Sequence, residues 1–184
     1  MKRVLVFIFL VSMFFILGCN DSEISDYDDT DVAAIVRGEE ITVGDLRFLY
    51  PDDKLFEFLD GTIKAKLAEQ EVKNLNLDVS QELQEIQETK SIVGTYPAED
   101  DDSEYANAAR EFADAQSAKL GLDPEEYFEK HYEKTQETSV YVTAYIEEML
   151  GKPKDIGEGY TEKANKLLDN LLEENEDEIQ ILIK

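Results

Sequence analysis

The chain has 184 residues, a length typical of one domain, and its 43 acidic and 18 basic side chains give a formal net charge of −25. Nucleic-acid binding needs a basic surface, so this balance excludes nucleic acid as an expected partner. The same charge opposes electrostatic binding to anionic lipid headgroups.

The first 18 residues have the three parts of an export signal. Lys2 and Arg3 form a basic start, and Val4–Leu17 is an apolar run interrupted only by Ser12. This run is shorter than the roughly 20 apolar residues that span a bilayer, and acidic residues follow it. We therefore predict a signal peptide over residues 1–18. The alternative is a short membrane anchor that is never cleaved.

The end of this run, Ile16-Leu17-Gly18-Cys19, resembles the lipobox of bacterial lipoproteins, although Leu17 is bulkier than the usual Ala or Ser. The resemblance implies that the Cys19 thiol receives a diacylglyceryl group and that cleavage makes Cys19 the first residue. Its amino group would then carry an acyl chain such as palmitate. Cys19 is the only cysteine, so it has no disulfide partner within the chain. We expect an exported protein, held by this lipid on the extracytoplasmic side of a bacterial membrane.

Residues 19–31 are predicted to form a flexible acidic tether, since six of the twelve residues 20–31 are Asp or Glu. A calcium-binding EF-hand loop would need Gly at its sixth position and Glu at its twelfth. Neither this segment nor Glu99–Asp102 has that register. A zinc site is not expected from one histidine and a lipidated cysteine. We therefore predict no metal site and no cofactor.

Residues 32–184 are predicted to form one mostly helical (α+β) domain. A short apolar, β-branched run predicts a strand over about 32–37, and alternating apolar residues predict another over about 178–183. Because a lone strand needs a partner, we expect the two ends of the domain to meet in a small sheet. Apolar residues recurring every three or four positions predict the helices, which are 43–50, 52–75, 80–94, 104–120, 123–150 and 160–172.

The stretch Val36-Arg37-Gly38-Glu39-Glu40-Ile41-Thr42 resembles the V-N-G-E-x-I-T opening of the N-terminal domain shared by the SurA and PrsA families, with Arg37 in place of the usual Asn. Leu77–Leu83 resembles the family's connection into a later helix. The similarity covers about 32–92 by motif and 158–184 by pattern. It implies a peptide-binding, chaperone-like module that acts outside the cytoplasm. PrsA-type members are also lipoproteins, in agreement with Cys19.

Family members with isomerase activity carry a parvulin domain between the helical part and the C-terminal piece. Here the corresponding junction, Gly151–Gly159, has nine residues, and His131 is the only histidine where parvulin chemistry uses a pair. We therefore predict neither isomerase activity nor any other enzymatic activity. Paired carboxylates could serve a glycosidase, but among 43 acidic residues no pair is marked out.

Aromatic residues follow helical spacing along the predicted helix 123–150, and two interpretations of them remain open. As a core, they would be buried with His131 at the centre or rim. As a surface, the residues Phe128, Tyr132, Tyr141 and Tyr145 would bind apolar polypeptide segments. Tyr127 belongs to the same series. The surface interpretation also predicts an exposed apolar patch rimmed by acids.

The sequence thus predicts a membrane-anchored, chaperone-like protein that binds unfolded or exported polypeptides. The alternative is a structural or accessory lipoprotein that docks one dedicated partner at the cell surface. A small-molecule-binding lipoprotein would need a closed pocket, which this helical pattern does not suggest.

We expect Cys19→Ala to release the protein from membranes, because two or more acyl chains are what make lipid anchoring stable. Fractionation of cells into membrane and soluble parts, followed by immunoblotting, measures this. Ser22→Ala, three residues further on, is the control and should leave the protein in the membrane fraction. Persistence of the Cys19→Ala protein in membranes would contradict a lipid anchor and favour the uncleaved segment.

Overall fold

A computed structural model describes residues 24–153 and 158–184 of the chain. This part is mostly helical with one small antiparallel sheet, which confirms the predicted α+β class. The strands are β1 Val32–Val36, β2 Glu39–Thr42 and β3 Ile179–Ile181. The helices are α1 Val43–Leu49, α2 Leu55–Asn74, α3 Ser80–Val93, α4 Glu104–Leu120, α5 Pro124–Leu150 and α6 Glu158–Glu174. Short 3-10 turns cover Ile24–Asp26, Asp52–Lys54 and Glu176–Glu178.

The sheet has the order β2-β1-β3, and both pairs of strands are antiparallel. Ala34 at the centre of β1 lies opposite Ile41 of β2 and Ile181 of β3. The two ends of the domain therefore meet as the alternation of apolar residues predicted. β3 spans three residues rather than the six predicted, because the chain makes a 3-10 turn over Glu176–Glu178 before it becomes extended.

Arg37 and Gly38 form the two-residue turn between β1 and β2, and both have positive φ angles, 49° and 83°. Such a turn matches the twist of the strands, but it favours Asn or Gly over Arg. Side-chain hydrogen bonds compensate for this conformation. The Arg37 guanidinium donates to Asn175 Oδ1 at 2.6 Å and to Glu71 Oε1 at 2.5 Å. The turn is thereby joined to α2 and to the segment after α6.

The core lies between the sheet and α2. Residues at four-residue spacing along α2 turn toward β1 and α1, and each is at most 5% exposed: Leu55, Leu59, Ile63 and Leu67. Phe56, the apolar residue after Leu55, is 41% exposed, since it lies about 100° around the helix from that face. Tyr145 of α5 and Leu171 of α6 complete the cluster.

The chain is already folded before β1. Ile24 and Tyr27 pack against the core, and their carbonyls accept hydrogen bonds from Arg47 Nη2 at 2.9 and 3.0 Å. Arg47 Nη1 lies 2.6 Å from Asp29 Oδ1. The prediction of a flexible tether over residues 19–31 is therefore wrong for residues 24–31, because these contacts hold them against α1. Residues 19–23, with the predicted lipid-attachment site Cys19, lie outside the described residues.

At the C-terminal end of α1, four carbonyl groups accept no hydrogen bond from a main-chain N–H of the same helix. Gln116 of α4 donates from Nε2 to the carbonyls of Arg47 and Tyr50, both at 2.9 Å. Tyr127 of α5 donates its hydroxyl to Phe48 O at 2.9 Å. Burial raises the pKa of Tyr127 to about 12, so this hydroxyl keeps its proton at neutral pH.

His131 of α5 satisfies the remaining carbonyl, that of Leu49, at 3.3 Å from its Nε2. All four acceptors at the end of α1 are therefore paired with side chains of α4 and α5. This set of contacts fixes the two later helices against the N-terminal unit.

We expect Tyr127→Phe to lower the free energy of unfolding by about 1–2 kcal/mol, because it leaves the Phe48 carbonyl unpaired while the ring contacts remain. Urea unfolding of the full chain, followed by circular dichroism, measures this. Tyr105→Phe is the matched control, since Tyr105 is 75% exposed, and should change stability by no more than about 0.5 kcal/mol. Equal effects of the two changes would contradict the capping role.

Candidate functional site

Helix α5 is the element around which the grooves of the molecule form. Its first turn is fixed by Asp123, whose Oδ1 accepts from Glu125 N at 2.9 Å, and by Pro124 at the first helical position. It continues for 27 residues, about 40 Å, and ends at Gly151 with φ 80°. α2, α3, α4 and α6 all pack against it. The spaces between these neighbours are the candidate sites.

The predicted aromatic surface is divided among three different environments. Tyr127 and Tyr145 are 0% and 5% exposed and belong to the core. Tyr145 is therefore not available as a contact for a partner. Phe128 meets Tyr96 edge to face at 6.1 Å between ring centroids. Tyr127 and Tyr145 thus support the core interpretation of the sequence pattern, whereas Phe128 is half-buried.

Tyr132 and Tyr141 are partly exposed but face different neighbours. The Tyr132 ring covers Gly94, where an added Cβ would lie 2.7 Å from the ring, so this pair closes the end of α3 onto α5. Tyr141 lines an open groove, and Lys73 Nζ lies 5.8 Å from its ring centroid. Of the four predicted surface residues, only Tyr141 lines one of the grooves described below.

His131 occupies an aromatic environment between α1, α4 and α5. Its ring centroid lies 5.2 Å from that of Phe112 and 5.5 Å from that of Tyr127. Burial lowers the pKa of His131 below its usual value of 6.5, although the contact with the Leu49 carbonyl acts in the opposite direction. The neutral imidazole therefore serves as a core side chain that caps a helix, consistent with the predicted buried or rim position.

One groove, which we name the α1 groove, runs between α1 and α5. Its first part has a volume of about 440 Å³ and a second part of about 210 Å³ extends it toward α2. Both parts share Asp45, Leu49 and Lys134. The walls carry apolar side chains together with charges of both signs, among them Phe48, Tyr50, Tyr141, Lys66, Lys130, Glu69, Glu133 and Glu137.

A second groove, which we name the α3 groove, lies where the start of α3 meets the last turns of α5. Its volume is about 400 Å³. The apolar part of its lining comes from Leu77, Val79, Val140 and Ala144. Four carboxylates also line it, Asp78, Glu82, Glu147 and Glu148, against the single base Lys152. Gln136, Ser139 and Thr143 complete the lining, so the groove has walls of mixed polarity and an acidic rim.

The negative charge at the rim is increased because two of its carboxylates lie at the end of a helix. Glu147 and Glu148 lie in the last turn of α5, which carries no basic residue. The carbonyl end of a helix already bears partial negative charge, so carboxylates there are locally unfavourable. Lys152, 83% exposed, reaches Glu147 at 3.4 Å and offsets only part of this charge.

The α3 groove was not predicted from the sequence, although one signal for it was present. A helix that ends in Glu147-Glu148 without Lys or Arg contradicts the usual charge preference of helix ends, although α6 ends in Glu173-Glu174 in the same way, so this signal is not specific. The facing wall, Leu77 and Val79, lies in the connection between α2 and α3 and has no periodicity of its own. Only the packing of α3 along α5 brings the two walls together.

Two further observations concern residues 24–153 and 158–184. Within these ranges no three His, Cys, Asp or Glu side chains are arranged so as to hold a metal ion. None of the helices there combines the length and the apolar character needed to cross a membrane.

We expect stability to fall as the pH drops below about 6.5, because the folded state resists protonation of His131 while the unfolded state takes up the proton. The stabilising contribution is thus complete above the unfolded-state pKa and is lost with decreasing pH. Urea midpoints between pH 5 and 7 measure this, together with an NMR titration of the single imidazole.

His131→Phe is the matched variant, since Phe keeps an aromatic ring in the site but does not titrate. Its stability should change less between pH 5 and 6.5 than that of the wild type. An imidazole pKa at or above 6.5 in the folded protein would contradict this account.

Comparison of the chain with protein-family models, curated proteins and solved structures gives no match. The similarity to the SurA and PrsA N-terminal domain therefore remains a prediction from short motifs. The function must be inferred from the grooves and their chemistry.

Proposed function

We propose that this protein is a lipid-anchored, extracytoplasmic, chaperone-like protein that binds unfolded or exported polypeptides without isomerase activity. The observation that carries the proposal is the α3 groove, which combines four apolar side chains on its walls with a rim of four carboxylates. The lipobox at Cys19 and the motif in residues 36–42 support the same conclusion independently of the groove.

The size and lining of the groove suit short apolar stretches of a flexible chain. Its volume of about 400 Å³ lies within the range of ligand-binding pockets. Met149 and Leu150 follow its rim directly and are 52% and 38% exposed. Methionine and leucine adapt to differently shaped apolar partners, so such residues suit a site that accepts many sequences.

Charge sets the class of polypeptide that the groove favours. The net charge of −25 repels acidic chains and attracts basic ones at a distance, and the rim concentrates this potential at the site. The proposed clients are therefore unfolded segments in which Lys or Arg accompanies apolar residues. Binding should weaken as salt screens the rim charges.

The lipid at Cys19 would place the folded body close to a membrane. Cys19 and Ile24 are five residues apart, so their Cα atoms are separated by at most about 18 Å. Because residues 24–31 pack against α1, the tether between lipid and body is shorter than the sequence predicted. The body would then meet polypeptides as they emerge at the membrane surface.

A second candidate function, a lipoprotein that docks one dedicated partner, is favoured by the α1 groove. Lys130, Glu133, Lys134 and Glu137 alternate in charge along one wall of it. A fixed pattern of positive and negative charges discriminates between partners better than a rim that carries charges of one sign only. Recovery of one protein by crosslinking, without binding to unfolded clients, would support this alternative.

The test is suppression of client aggregation by the full chain, purified in detergent. We expect excess protein to slow the aggregation of a basic, thermally unfolded client, followed by light scattering. An acidic client of similar size should be protected less, and protection should decrease between 50 and 500 mM NaCl. A client whose aggregation is unchanged by excess protein would overturn the proposed function.

A matched pair of triple variants assigns the activity to the α3 groove. Glu82→Gln, Glu147→Gln and Glu148→Gln remove three rim charges, and we expect protection of the basic client to fall several-fold. Glu104→Gln, Glu111→Gln and Glu162→Gln remove the same charge from exposed positions of α4 and α6. Equal losses in the two triples would show that net charge acts rather than the groove.

A further inference from the structure

We propose that the outer edge of β3 binds an extended polypeptide segment by strand addition, as a second contact with the same client chain. The inference rests on the proposed function for the class of partner. It does not depend on the α3 groove, and the experiment below separates the two.

The main chain of β3 leaves hydrogen-bonding groups available along this edge. Leu182 N donates to Ala33 O and Arg37 N donates to Glu178 O, both at 2.9 Å, so residues 178, 180 and 182 turn their main-chain groups toward β1. Residues 179 and 181 turn theirs away. Ile179 N is used by Glu176 O in the preceding turn.

Three groups therefore remain for a partner strand: the carbonyl of Ile179 and both the N–H and the carbonyl of Ile181. Within residues 24–153 and 158–184, no other strand pairs with this edge, since β3 neighbours β1 alone. Two successive apolar side chains accompany these groups, Ile181 at 54% and Leu182 at 48% exposure. An edge with free main-chain groups and apolar side chains is a template for strand pairing.

The two edges of this sheet differ in a way that points to function. The β2 edge carries Glu39 and Glu40, both exposed, and Glu39 is paired with Lys66 at 2.6 Å. Charged side chains of this kind are the usual protection against unwanted pairing. The β3 edge has no charged residue within its three positions, Ile179, Gln180 and Ile181. Only one of the two edges is thus left suitable for another strand.

Charge and size favour a polypeptide segment over a second copy of this chain. Three exposed acids, Glu176, Asp177 and Glu178, precede β3 and would attract Lys or Arg on an added strand. A second copy also carries a charge of −25, and pairing over three residues falls far below the roughly 1,000 Å² that a stable interface needs. Main-chain hydrogen bonds are independent of sequence, so the edge can accept varied clients.

The experiment measures binding of two labelled peptides to the full chain in detergent, by fluorescence anisotropy. The first is a ten-residue peptide with alternating Val and Thr and a Lys at each end. The second has the same side chains but is N-methylated at its four central residues, which removes the donors that strand addition needs. We expect the N-methylated peptide to bind about ten-fold or more weakly. Equal affinities of the two peptides would overturn the proposal.

Variants of the protein then locate the contact. Ile181→Pro removes the outward N–H without breaking a bond to β1, and should weaken the unmethylated peptide about ten-fold while leaving the N-methylated peptide unchanged. Ile181→Thr keeps that N–H and should cause a much smaller loss. If Ile181→Pro does not fold, the comparison of the two peptides on the wild-type protein still decides the question.

The rim triple Glu82→Gln, Glu147→Gln and Glu148→Gln separates this inference from the proposed function. A peptide affinity that depends on Ile181 but not on the rim supports strand addition at β3 and contradicts binding of this peptide in the α3 groove. A peptide affinity that depends on the rim alone overturns strand addition at β3. A dimer in sedimentation velocity that Ile181→Pro abolishes would assign the edge to a second copy, and would also overturn the proposal.

Discussion

Helix α1 is two turns long, and the pairing of its main-chain groups determines how the rest of the molecule is arranged. So short a helix satisfies few of its own hydrogen bonds. At its start, Val43 N and Gly44 N donate to the carbonyls of Asp31 and Asp29, each at 2.9 Å. At its end, side chains of α4 and α5 donate to four carbonyls. Residues as far apart in the chain as Asp29 and His131 are therefore held together by hydrogen bonds to the two ends of one seven-residue helix.

The position of α5 follows from this constraint, and the position of the grooves follows from α5. Tyr127 and His131 fix its first half against α1, while Tyr145 is buried in the core beside α2. The α1 groove is the space that remains between α1 and α5 on one side. The α3 groove forms further along α5, where α3 meets the last turns of the same helix. A long helix held at both halves is a rigid wall for a binding site.

Arg37 has the corresponding role for the sheet. It adopts a left-handed conformation that suits Asn or Gly better, and its guanidinium joins Glu71 of α2 to the buried Asn175 after α6. The same residue thereby closes the hairpin and positions the chain that enters β3. Arg37 also holds β3 directly, because its main-chain N–H donates to Glu178 O. The edge that we propose as a strand-addition site therefore depends on the position of Arg37.

The amino-acid sequence by itself determined the elements of this protein. Local signals such as the cap at Asp123, the Pro at position 124 and the apolar repeat of α2 act over a few residues, so they predict where helices begin and which face is buried. The alternation in residues 178–183 was enough to predict that the ends of the domain meet. The chemistry predicted at Cys19 likewise belongs to the local sequence alone.

The tertiary structure decided what these elements leave exposed. Tyr141 and Tyr145 share one predicted stripe, yet one lines a groove and the other is buried, because burial depends on which helix packs alongside. The docking of residues 24–31 comes from Arg47, which reaches carbonyls 20 and 23 residues away in the chain. The acid-rimmed groove and the open edge of β3 likewise arise from contacts between distant segments, which no local pattern encodes.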